Sequence, residues 1–342
     1  MGVIIMNTVL GLLQSNVFLS VLSLNSGKKI IFWTKIAVFA LLLVYIGYVL
    51  RQQPFDWTVL RKQLRTVEHP EWWAIGLCTL TPVNWGLEAL KWWILLQRVE
   101  KTSFGAAYSG VLAGVSLGFA LPAQLGDTAG RVLSLRDGKR GSAIGASLVS
   151  GGMQFYVALV MGTIAWAYHI RLVPDRNSTA GWWLLVLLGT LSVGGVVFGL
   201  IRTRLLTWLS GRAGLKRFAT YWNVAGLYSD REIALALLVA TLRYGVFAIQ
   251  FYLALRVVGI VMEPNVAASG IGLVFLVKTV TPAFNLLSDL GVREAAALWV
   301  FAPFGLSVPV MITATLLLWF ANILLPVLVG LYWVWKLKLT AE

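Results

Sequence analysis

The chain has 342 residues, 58% of them hydrophobic and only 12% charged, with a formal net charge of +14. A soluble domain carries roughly 25% charged residues, so this composition excludes a soluble globular protein and indicates an all-α polytopic membrane protein. The positive charge does not make a nucleic-acid surface, because the basic residues occupy short joints between apolar runs, where the cytoplasmic ends of spans collect them and anionic headgroups attract them.

Residues 1–29 read as a leader, interfacial or disordered: Asn7, Gln14, Ser15 and Asn16 interrupt its apolar run, and no basic segment precedes it as in a secretory signal. Residues 30–342 then form one integral membrane domain. Apolar windows approaching or exceeding the roughly 20 residues needed to cross a hydrocarbon core predict six spans, at Ile36–Leu50, Trp72–Leu96, Ser142–Tyr168, Trp182–Ile201, Ile233–Leu255 and Val308–Trp335. Most of the 16 Trp lie near the ends of these spans (Trp72, Trp73, Trp92, Trp93, Trp182, Trp183), as an interfacial belt does. Two more apolar stretches, Phe104–Leu135 and Val266–Phe301, are each broken by Pro122 or Pro282 with Gly126 or Gly291 soon after. Each half is too short to cross alone, so both stretches are expected to be re-entrant hairpins.

With the N-terminus inside, the inner connections hold 17 Lys and Arg and the outer ones 7. Both termini are then cytoplasmic, and the protein is expected in the cell membrane. The first hairpin enters from the cytoplasmic side and the second from the outside. Oppositely oriented hairpins mark an inverted repeat, with halves at about 72–168 and 232–336. The sequence repeats accordingly: "PAQLGDTAGR" and "TPAFNLLSDLGVREAAALW" share Pro-Ala before the break and Asp-x-x-x-Arg after it, as Asp127–Arg131 and Asp289–Arg293. Four residues place acid and base on one helical face, in the more favourable order.

These pairs, together with Glu294, Glu88, Lys91 and Arg243, are read as substrate-binding, against the plainer reading that the pairs cap half-helices at the surface. Arg131 and Arg293 offer planar forks for phosphate, and Glu294 beside Arg293 either balances charge or faces water. Within span two, Asn84, Glu88 and Lys91 share a face. Lys91 is expected to snorkel to the inner interface, whereas Glu88 needs a partner. Arg243, ten residues into span five, is the strongest single candidate for a buried cation. Gln154, Gln250 and Asn322 are expected to hydrogen bond between helices. One cysteine, Cys78, and two histidines, His69 and His169, supply neither a disulfide nor a metal site, and no cofactor is expected.

"EALKWWILL", "LPAQLGDTAGR" and "DLGVREAAALWVFAPFGLS" together resemble the flippase-type transmembrane domain of lysylphosphatidylglycerol synthases and its stand-alone members, from about residue 30 to the C-terminus. The chain departs from that family's usual pattern at Gln124 and Asp127, which stand for Arg and Glu, at Lys91, which stands for Arg, and at "FNLLSD" in place of a Pro- and Gly-rich break. The resemblance implies the translocating half of such a synthase without the soluble aminoacyl-transferase half. The expected function is therefore non-enzymatic: transport of an anionic or phosphate-linked lipid or glycolipid between leaflets, with membrane lipid as partner. The competing expectation is a scaffold for a separate lipid-modifying enzyme, docked through the basic segment 202–231; a second copy of the chain is a further expected partner.

Overall fold

In the computed structural model, the described residues are 57–120, 125–133, 135, 137–210, 219–281 and 289–336. Their regular structure is entirely helical, joined by short connections, with no strand among them. The chain divides into a unit of residues 56–334, to which the following applies, and a unit of residues 1–55 and 335–342, almost all of it outside the described residues. The leader and the expected span at 36–50 fall there.

Among the described residues twelve α-helices follow in order. They are α1 (Trp57–Arg65), α2 (Pro70–Leu96), α3 (Phe104–Ala120), α4 (Leu125–Val132), α5 (Arg140–Leu172) and α6 (Thr179–Ser210). Then come α7 (Ala219–Leu227), α8 (Asp230–Val257), α9 (Pro264–Val280), α10 (Asp289–Phe301), α11 (Val308–Trp319) and α12 (Leu325–Lys336). Local chemistry sets several boundaries. Pro70 opens α2 after His69, which lies in the left-handed region at φ 53°. At the start of α8 the Ser229 side chain accepts from the Glu232 amide while Glu232 accepts from Ser229, a capping box.

Four of these segments are long and apolar enough to cross a membrane: 140–172, 179–208, 230–257 and 308–334. They coincide with the spans expected at 142–168, 182–201, 233–255 and 308–335. The expected span at 72–96 is a continuous helix of 27 residues, α2, but Glu71, Glu88 and Lys91 lower its apolar character. The last span is not one regular helix. A π-helical turn at Phe320–Leu324 separates α11 from α12, the kind of local widening that turns a helix face without ending it.

In both interrupted stretches the two helices pack on each other, α3 with α4 and α9 with α10, and each pair is here termed a hairpin; the breaks between them at 121–124 and 282–288 lie outside the described residues. The first hairpin is packed backbone to backbone. A methyl group on Gly130 would collide with the Gly114 backbone, and one on Gly126 with the Leu117 carbonyl. Glycine at these positions lets the helices approach, as small residues do between membrane helices.

Two apolar cores lie towards opposite ends of the long helices. One gathers Trp92, Leu95 and Leu96 of α2, Val111 and Leu112 of α3, Val132 of α4, Ala143 and Ala146 of α5 and Ala236 of α8. The other gathers Leu77 of α2, Leu159 to Ile170 of α5, Phe251 to Leu255 of α8 with Val258 just after it, and the inward faces of α9, α10 and α11. Hairpin α3–α4 thus packs on the C-terminal half of α2 and the N-terminal parts of α5 and α8, and hairpin α9–α10 on their other ends. Helix α6 stands at the periphery with Trp183, Val193, Phe198 and Leu200 exposed, the surface expected of a helix facing hydrocarbon.

Candidate functional site

Between the two cores, the middles of α2, α5 and α8 present polar side chains to one another. Helix α2 contributes them at Thr81, Asn84, Glu88 and Lys91, spaced by three or four residues and so on one face. All four are buried.

Glu88 is the hub. Its Oε1 accepts from Arg131 Nη1 at 2.9 Å. Its Oε2 lies 2.8 Å from Lys91 Nζ and 3.2 Å from Arg243 Nη1. Arg131, on the short helix α4, also donates through Nε to Asp127 Oδ1 at 3.0 Å and pairs through Nη2 with Oδ2 at 2.9 Å, a two-pronged contact one turn apart. Two tryptophans of α2 flank the guanidinium groups: Trp92 lies 5.6 Å from Arg131 and Trp85 5.3 Å from Arg243. Both distances suit a cation over an aromatic ring.

Neutral amides extend the cluster. Arg243 donates to Asn84 Oδ1 at 3.1 Å and Gln154 Oε1 at 3.2 Å, and Lys91 donates to the same Gln154 oxygen at 3.4 Å. Asn84 donates to Gln250 Oε1 at 2.9 Å, and Gln250 donates to the Leu77 carbonyl and the Thr81 hydroxyl. The result is a polar seam joining α2, α4, α5 and α8. Taking charges out of water is costly unless each is paired and hydrogen-bonded; here neutral amides supplement ion pairs in which the one carboxylate of Glu88 serves three cations. Exposure is uneven. The Lys91 side chain is 1% exposed and those of Glu88 and Arg131 6% each, whereas Arg243 is 20% and Asp127 33% exposed.

Five sequence candidates therefore meet in one place: Glu88, Lys91, Asp127, Arg131 and Arg243. Lys91 does not snorkel, since Glu88 one turn earlier holds it inside. Trp92 does not belong to an interfacial belt, being 1% exposed and packed against Arg131. Asp127 lies in the first turn of α4, where its charge suits the helix start.

The remaining candidates lie on α10. Arg293 is fully buried, with its Nε 3.5 Å from Glu294 Oε1. Glu294 does not simply face water: it is 12% exposed and accepts from the Gly291 amide. Gly291 has φ 97°, a conformation glycine adopts without penalty. Asp289 is the first residue of α10; its side chain, like Pro122, Gln124 and the break at 282–288, lies outside the described residues.

The amides behave as sequence reasoning expects at Gln154 and Gln250. Asn322 differs. Its carbonyl, in the π-helical turn, accepts from Trp85 Nε1 at 3.1 Å, while its side-chain amide is buried with no hydrogen-bond partner among the described residues. Trp85 is thereby fixed between α2 and the last span. Its part in framing Arg243 has no sequence signal beyond its place on the polar face of α2.

Comparison with protein families finds one that matches, the lysylphosphatidylglycerol synthase TM region, over residues 32–330. No curated protein and no solved structure matches the chain.

Proposed function

The chain belongs to the lysylphosphatidylglycerol synthase transmembrane-region family, and on that premise we propose that it moves an anionic or phosphate-linked lipid or glycolipid between leaflets without chemical conversion. The observation that carries this reading is the charged seam between α2, α4, α5 and α8. Ionisable residues at the middle of membrane helices are costly and mark the paths of polar cargo. Here five of them converge between two apolar cores, beside a hairpin packed through glycines. The headgroup passes the seam while the acyl or isoprenoid chains stay in lipid. Hairpins α3–α4 and α9–α10 enter from opposite leaflets, with Arg131 and Arg293 at corresponding places on their second helices. Both termini are cytoplasmic, in the cell membrane.

The test is translocation in vesicles reconstituted with the full chain and headgroup-labelled lipids, read as the label lost to an impermeant quencher. Transfer above protein-free vesicles for at least one anionic lipid is expected. Absence of transfer across a broad panel that includes isoprenoid-linked sugars would reject the proposal. A stoichiometric lipid-modifying enzyme recovered with the chain from mild detergent would favour a scaffold instead.

A further inference from the structure

Among the described residues the charges in the seam do not match: three cations, Lys91, Arg131 and Arg243, meet two carboxylates, Glu88 and Asp127. Asp127 and Arg131 form a two-pronged pair. Of the other three groups, Lys91 and Arg243 are both cations, and their acidic partner among the described residues is the single carboxylate of Glu88, through the same oxygen, Oε2. Their further contacts are to neutral amide oxygens of Asn84 and Gln154. Two positive charges thus share one negative charge that Arg131 also engages through Oε1. A buried cation with a fraction of a counterion is costly, because its desolvation is only partly offset. Of the two, Lys91 is sealed and held more closely, at 2.8 Å against 3.2 Å for Arg243. Arg243 is the one that keeps exposure, 20% of its side chain.

We infer that Arg243 receives the phosphodiester monoanion of a lipid headgroup, and that Glu88 is a resident counterion which the phosphate replaces on Arg243. Glu88 then stays with Lys91 and Arg131. One incoming negative charge balances the three cations and two carboxylates that the described residues place in the seam, so the fitting ligand is a lipid with one net negative charge. A dianionic phosphomonoester overshoots the charge, and a zwitterionic headgroup brings an ammonium towards Lys91. The guanidinium fork offers two parallel donors to phosphate oxygens, with the Trp85 ring as its fixed backing. This inference rests on the translocation reading and names the charge class of its cargo.

The experiment measures equilibrium binding, separately from transport. The full chain in phosphatidylcholine nanodiscs is titrated with phosphatidylglycerol, with phosphatidic acid and with inorganic phosphate. Binding is read as thermal stabilisation and as Trp fluorescence change. Phosphatidylglycerol is expected to stabilise the parent more than either other probe. Arg243→Gln is expected to fold, since it leaves Lys91 and Glu88 as a matched pair, and to weaken phosphatidylglycerol binding at least about tenfold. Arg243→Lys restores part of that loss, because charge returns without the fork. Unchanged phosphatidylglycerol binding by Arg243→Gln would overturn the inference. So would equal stabilisation by inorganic phosphate, which would mark a free-anion site, or at least tenfold tighter binding of phosphatidic acid. If Arg243→Gln loses binding while neither protein moves lipid, the site stands and the translocation reading fails. If both proteins move lipid equally, the reading stands and the site fails.

Discussion

Glu88 and Arg131 each tie α2 to another element, but their removal leaves different debts. Glu88→Ala strands Lys91 and Arg243 inside with only neutral amides for partners. Arg131→Ala leaves Glu88 with two cations, yet releases α4 from α2 and leaves Asp127 without its two-pronged partner. Breaking a buried ion pair from one side costs about 3–5 kcal/mol. Glu88→Ala is therefore expected to fall at or beyond the top of that range and Arg131→Ala within it. Asp127→Asn should cost only about 1 kcal/mol, because Arg131 keeps Glu88 and the side chain is one third exposed. Melting temperatures in detergent, followed by Trp fluorescence, check the order. Equal melting of parent and Arg131→Ala would show that the tie does not hold α4 in place. The geometry thus gives Arg131 a structural duty, so its loss of transport has to be judged against its loss of stability.

At the scale of the element, the α3–α4 hairpin depends on absent side chains. Gly130→Ala sets a methyl against the Gly114 backbone, where nothing flexible can yield. Overpacking of this kind costs typically 1–3 kcal/mol, and it should pull Arg131 away from Glu88 as the helices part. Gly151→Ala in α5 meets nothing within 4 Å, and is expected to be neutral or stabilising by up to about 1 kcal/mol through helix propensity. If the two variants melt alike, the close approach is not what holds the hairpin. The paired helices α3–α4 and α9–α10 were legible in the sequence because their signals are local: apolar half-lengths on either side of a break, and, at Asp127–Arg131, an Asp-x-x-x-Arg spacing that helical geometry turns into a contact. The partners of Glu88 were not, since Arg131 and Arg243 lie 43 and 155 positions away and no periodicity encodes such a pairing. Lys91 and Trp92 were misplaced for a related reason. A membrane helix is apolar on both its lipid and its protein faces, so its pattern does not say which side is enclosed. The π-helical turn at 320–324 has no composition signal at all.

Over the whole molecule, the long helices α2, α5 and α8 act as a shared frame, with one hairpin packed at each end. The connections confirm which helix ends lie together. Arg98, just after α2, pairs with Glu232 in the first turn of α8 at 2.8 Å, and Arg202 on α6 pairs with Asp230 at 2.6 Å. At the other end, Arg176 lies over Trp299 of α10 at 3.7 Å, and Asn265 at the start of α9 donates to Tyr168 near the end of α5. On the proposed orientation the basic residues of the first end follow the positive-inside bias, with that end in the cytoplasm and the α9 entrance outside. Single cysteines at Lys101, before α3, and at Glu263, before α9, should therefore react with an impermeant maleimide from opposite faces of right-side-out and inside-out vesicles. The native Cys78 is exposed on α2 and is first changed to Ser. Lys101→Cys should label only from the cytoplasmic side and Glu263→Cys only from the outer side. The reverse assignment would invert the orientation while keeping the architecture. Labelling of both from one face would reject hairpins entering from opposite leaflets, and with them the two-ended frame that lets a central seam serve both sides of the membrane.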